Sequence, residues 1–208
     1  VCFQFSNAQD SLSFLALGDS YTIGESVLAN ERWPVQLADS LNNRGYKVSD
    51  PLIIAQTGWR TDELKAAIQG RTLHKNFDLV GLLIGVNNQY QGKPPESYRP
   101  EFKELLQIAI AHAGGIKKNV FVISIPDYGF TPFGKKNQMK ISSELDVYNQ
   151  INREITESMG VKYYFITDIS REELANLVAK DGLHPSGIQY ALWVNELLKD
   201  EHFLNSLD

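Results

Sequence analysis

Five stretches of the chain are apolar over strand length: 12–17, 51–55, 78–84, 119–125 and 162–167. The third, Asp78 to Ile84, shows no polar alternation, as expected of a parallel strand covered on both faces. Between these stretches the apolar positions recur every three to four residues. Val35, Leu37, Ala38 and Leu41 predict a helix over 32–43, with Pro34 in its first turn and Gly45 beyond its end. Thr61-Asp62-Glu63-Leu64 opens the next helix with a pattern like a capping box. Phe102, Leu105, Leu106, Ala109 and Ile110 predict a helix over 101–112, closed by Gly114-Gly115. Further helices are expected at 138–159, 171–178 and 186–198, and loops at 23–31, 88–100 and 126–134. Strands alternating with helices, without repeat or linker, predict a single α/β domain over residues 9–208. It has three layers, α/β/α, around a five-stranded parallel sheet.

Polar residues with chemical potential gather where the strands end. Gly18-Asp19-Ser20-Tyr21 follows the first strand directly. Asp and Ser both favour turns and helix N-caps, and a capping serine explains the triplet when it is taken alone. A serine there also stands at the carboxyl end of a strand, where open α/β sheets bind ligands. Near the other end of the chain, Asp181-Gly182-Leu183-His184 sets a carboxylate three residues before an imidazole. Gly182 lets such a loop turn back on itself. Asp168 is the rival carboxylate, because it closes the fifth strand. Asp19 reads as a brace of its turn. His74, His112 and His202 fall on helices or their edges and read as surface residues. Gly58 taken alone is an ordinary loop glycine and Asn87 a turn residue.

Four short segments in this order resemble the blocks of the SGNH, or GDSL-type, family of serine esterases and lipases. They are Gly18-Asp19-Ser20-Tyr21, with tyrosine for the usual leucine; Gly58 in Gln56-Thr57-Gly58-Trp59; Gly85-Val86-Asn87-Asn88, with Asn88 for the usual aspartate; and Asp181 to His184. The resemblance runs from residue 12 to about 200. It implies the flavodoxin-like strand order 2-1-3-4-5 and a serine ester hydrolase working through an acyl-enzyme. Ser20 is then the nucleophile, His184 the general base and Asp181 the group that orients it. The backbone N–H groups of Ser20 and Gly58, with the Asn87 amide, form an oxyanion hole. Neither a metal nor an organic cofactor is implied. The expected partner is a small-molecule ester carrying a short acyl group, acetylated sugars included. Trp59, Tyr90, Tyr128 and Phe130 are candidates for a substrate groove, and equally for core at the sheet edge. Acyl transfer to an alcohol other than water is a rival reading, and so is a carbohydrate- or lipid-binding module that kept the fold. A flavin-binding protein is disfavoured, because the first turn lacks a Ser/Thr/Gly-rich phosphate loop.

Composition narrows the field further. With 208 residues there is room for one full core, and 43% hydrophobic with 22% charged residues is ordinary for a globular chain. A net charge of −5 argues against nucleic acid as a partner. The single cysteine, Cys2, excludes an intrachain disulfide. No stretch approaches the ~18 apolar residues of a membrane span. Residues 1–8 end in Ser6-Asn7-Ala8 and read either as the tail of a secretory signal, making the protein periplasmic or extracellular, or as an ordinary N-terminus.

Overall fold

The computed structural model describes residues 11–73, 76–172 and 174–207; the expectations for residues 1–8 and for His74 lie outside them. Five parallel strands, β1 (Phe14–Gly18), β2 (Leu52–Ala55), β3 (Leu79–Leu83), β4 (Val120–Ile123) and β5 (Lys162–Tyr164), form one sheet in the order β2-β1-β3-β4-β5. Every residue of β1, β3 and β4 is buried, whereas the edge strand β2 is half-exposed. The registry matters most at the strand ends. Gly18 pairs with Ala55 of β2 on one side and with Leu83 of β3 on the other. Three neighbouring strands therefore end level, and the order reverses at β1, which opens a crevice at their carboxyl ends.

The helices, in chain order, are α1 (Ser20–Ile23), α2 (Trp33–Asn43), α3 (Thr61–Gln69), α4 (Val86–Tyr90), α5 (Pro95–His112), α6 (Gln138–Ser158), α7 (Thr167–Ser170), α8 (Gly187–Leu197) and α9 (Glu201–Asn205). Right-handed crossovers send the β1–β2 helix to one face and the helices that follow β2, β3 and β4 to the other. Accordingly α2 packs on α8, while α5 packs between α3 and α6. Trp33, Trp193, Tyr98 and Phe121 are fully buried in one continuous core that spans both faces. No helix among the described residues is long and apolar enough to cross a membrane.

Three expectations change. The loop at 88–100 is largely helical: α4 occupies its start, and α5 begins at Pro95, six residues before position 101. Pro95 suits a first turn, and Pro100 is tolerated inside the helix because Tyr98 anchors that turn. The Tyr98 hydroxyl, fully buried, donates to Ile84 O at 3.0 Å and lies 2.7 Å from Asn152 Oδ1. The fifth strand stops at Tyr164, because the Ser124 hydroxyl accepts the Ile166 and Thr167 N–H groups and turns the chain into α7. No α-helix covers 171–178 among the described residues; a 3-10 turn at Ala175–Leu177 stands there instead. The last helix, α9, has no strong periodicity. It is set by Asp200, whose carboxylate accepts the His202 and Phe203 N–H groups, and by Phe203 packing on Phe121 and Tyr164.

Candidate active site

Ser20 is the first residue of α1 and is 5% exposed. It follows β1 by one residue, Asp19, which caps the helix by accepting the Tyr21 N–H at 3.0 Å. Asp19 is wholly buried, and its second oxygen has no protein hydrogen-bond partner. Burial pushes its carboxyl from an ordinary 3.8 up to about 7, although nearby backbone N–H groups pull the other way. Gly18 is obligatory here, since a Cβ would lie 2.1 Å from Thr22 Oγ1 and 2.4 Å from Leu83 O.

His184 comes from a loop folded back like a hairpin. The Ala179 N–H donates to His184 O at 2.7 Å and the Ser186 N–H to Leu177 O at 2.8 Å. Gly182, with φ +73°, makes the return possible. Asp181 Oδ2 lies 2.6 Å from His184 Nδ1, so Nδ1 carries the proton and Nε2 is left with its lone pair. Asp181 Oδ1 accepts the N–H groups of Leu183 at 2.9 Å and His184 at 3.0 Å. Burial alone would raise the Asp181 pKa. The Ser26 hydroxyl, His184 and the two backbone donors outweigh it and hold the carboxyl well below the usual carboxylate range. Asp168 is exposed, 3.6 Å from Arg171, and takes no part in this cluster. His202 is exposed and His112 half-buried at the end of α5.

The other two segments follow β2 and β3. Gly58 adopts φ +87°, yet a Cβ there would meet nothing within 4 Å. Its left-handed backbone calls for glycine, and no protein atom crowds the place where a Cβ would stand. Asn87 lies in α4 and donates one amide N–H to Trp59 O at 2.9 Å, which fixes the orientation of the amide and leaves its second N–H. The two departures from the family pattern have structural partners. Tyr21 stands edge-on to the His184 ring, 6.0 Å between centroids, and against Trp193 at 6.5 Å. Asn88, 1% exposed, accepts the Thr61 N–H at 3.1 Å and donates to Thr61 Oγ1 at 2.7 Å, closing the N-terminus of α3. The same amide faces Glu101, 3.4 Å away, where an aspartate would set two carboxylates together.

Ser20, Gly58, Asn87 and His184 line one cleft of about 290 Å³. Tyr90 and Tyr128 wall it, but Trp59 and Phe130 do not line it; Thr57 and Phe133 do. Trp59 packs half-buried on the core, and the Phe130 ring lies under the Lys135 ammonium at 5.8 Å. Phe133 belongs to the same aromatic loop as Tyr128. Its backbone N–H donates to Gly182 O at 3.0 Å, tying that loop to the segment that carries Asp181 and His184. The rings of Tyr90, Tyr128 and Phe133 form a ridge with centroids 6.2–6.3 Å apart. Ser26 is the other residue the sequence did not single out; only the folded chain brings it to Asp181.

The described fold is a three-layer α/β/α domain with a cleft at the carboxyl ends of its strands. The model of the GDSL-like lipase/acylhydrolase family matches residues 16–192, and the chain belongs to that family. Solved structures share the fold at low identity. TesA is 15% identical with a TM-score of 0.72, over 94% of this chain and 99% of its own. The psychrotrophic esterase EstA from Pseudoalteromonas sp. is 16% identical with a TM-score of 0.65, over 91% and 96%. Axe2, an acetylxylan esterase from Geobacillus stearothermophilus, is 17% identical with a TM-score of 0.68, over 90% and 93%. No curated protein matches by sequence.

Proposed function

We propose that the enzyme hydrolyses esters of short acyl groups, acetylated carbohydrate among them, through an acyl-enzyme on Ser20. The observation that carries this reading is the 2.6 Å contact between Asp181 and His184 Nδ1 beside a cleft shared with Ser20, Gly58 and Asn87. His184 Nε2 takes the Ser20 hydroxyl proton as Oγ attacks the ester carbonyl. Asp181 holds the imidazole in one tautomer and stabilises the imidazolium. The oxyanion accepts hydrogen bonds from the Ser20 and Gly58 N–H groups and the free N–H of Asn87. His184 returns the proton to the departing alcohol, and water repeats the sequence on the acyl-serine to release the acid.

The size of the cleft supports a small acyl group, because the ridge of Tyr90, Tyr128 and Phe133 bounds it. Beyond the ridge lies a second recess of about 400 Å³ with Gln89, Asn137, Lys140 and Glu144 in its wall. A polar recess behind exposed aromatic faces suits a polyhydroxylated alcohol. A fluorophosphonate should add once per chain, at Ser20, and Ser20→Ala should abolish turnover of p-nitrophenyl acetate. Labelling at another serine with Ser20 untouched would overturn the assignment. A rate that rises with acyl length from acetate to octanoate would overturn the short-chain reading alone.

A further inference from the structure

We infer that Ser26 is a positioning residue for the acid–base pair, acting through Asp181. Its hydroxyl donates to Asp181 Oδ2 at 2.6 Å, the same oxygen that meets His184 Nδ1. A carboxylate offers about four acceptor directions. Here the Leu183 N–H, the His184 N–H, the His184 ring and the Ser26 hydroxyl supply four donors. The first three belong to the hairpin of Asp181 itself. Ser26 belongs to a segment 155 residues away, just after the helical turn that carries Ser20.

The backbone shows that this contact is specified. Among the described residues Ser26 is the one non-glycine with positive φ, +66°. A residue with a Cβ in this region is disfavoured, and glycine would adopt it more easily. A serine is nevertheless found where the local backbone favours glycine, with its hydroxyl bonded to the Asp181 carboxylate. The fold around it is short and closed: Gly24 and Glu25 both donate their N–H groups to Ser20 O at 3.0 Å. The neighbouring Glu25 carboxylate accepts the Thr57 hydroxyl, next to Gly58. Residues 25 and 26 thus clasp the Gly58 loop and the Asp181 hairpin to the turn that holds Ser20. Ser26 fixes the carboxylate plane and, through it, the direction of the His184 ring.

The inference rests on the role given to Asp181 above, and the experiment separates the two. Ser26→Gly removes the hydroxyl and relaxes the backbone; Ser26→Ala removes the hydroxyl and keeps the unfavourable φ. Both should lower kcat for p-nitrophenyl acetate by roughly 10- to 100-fold, with KM changed less than twofold, as expected for loss of one hydrogen bond to a charged group. Melting temperatures should diverge, with the glycine variant above the alanine variant, because only glycine accepts the positive φ without strain. On an Asp181→Asn background, Ser26→Gly should lower kcat by less than twofold further. A Ser26→Gly enzyme with wild-type kcat, or one losing the same factor with and without Asp181, overturns the inference. If Asp181→Asn alone keeps wild-type kcat, the role of Asp181 falls first.

Discussion

Asp19 directly precedes Ser20, the proposed nucleophile, yet its environment gives it another task. Its folded pKa, about 7, lies above the ordinary 3.8. Ionising it therefore opposes folding: its contribution to stability is full below about pH 4 and falls as the pH rises towards 7. Asp19→Asn, which keeps the capping oxygen, should match wild type in thermal unfolding at pH 4. At pH 8 it should be the more stable, by a few kcal/mol and on the order of 4 at most. Parallel pH dependence of the two proteins would contradict a raised Asp19. Asn87 answers to a different measurement. Asn87→Ala should cut kcat and kcat/KM alike by roughly 10²–10³-fold, the loss expected of one oxyanion donor, with a small change in melting temperature. Near-normal turnover with lowered stability would return Asn87 to the role of a turn residue. Ser20, Asp181 and His184 stood out as candidates through the likeness of their segments to the family blocks, since a Gly-Asp-Ser taken alone reads as a helix cap and Asp168 competes as the carboxylate. Ser26 did not, since a lone serine in a polar loop carries no signal until its φ and its distant partner are known. Phe133 was missed in favour of Phe130, because which rings of a turn-rich loop face inwards depends on backbone geometry and not on composition.

At the scale of elements, the strands were the readable part. Unbroken apolar runs in β1, β3 and β4 are what burial on both faces requires. The helices that escaped were those set by tertiary contacts. Pro100 marks a break by its own chemistry, and Tyr98 overrides it from the core. The turn α4 is preceded by Gly85 at φ +128°, where a Cβ would lie 2.5 Å from the Tyr98 hydroxyl oxygen. Asn88 is the residue that joins α4 to α3. Asn88→Asp should bury a carboxyl against Glu101 and remove the donor to Thr61 Oγ1. The raised folded pKa expected of such a carboxyl means little loss below about pH 4. Above the carboxylate range the loss should reach about 2–4 kcal/mol. Urea unfolding at pH 4 and pH 7.5 checks this; an equal cost at both would show that charge is not the cause.

In the molecule as a whole, the chemical groups come from both ends of the chain and depend on one core. Ser20 precedes most of the sheet in sequence, and His184 follows all of it. Helices α2 and α8, next to these segments, pack on each other, and Trp33 and Trp193 lie within them fully buried. Unfolding followed by tryptophan fluorescence, far-ultraviolet circular dichroism and residual turnover should give one coincident transition. Activity lost well before fluorescence would mean that the Asp181 hairpin opens on its own. That hairpin is also joined to the wall of the cleft, by the bond from the Phe133 N–H to Gly182 O. On the proposed mechanism this bond should link selectivity to rate. A change that swings Phe133 outward to admit bulkier acyl groups also pulls on the tip of the loop that aims the imidazole. Breadth of substrate and speed of turnover should trade against each other along this one strut, and variants that escape the trade will be those that trim the ring while sparing the peptide bond behind it.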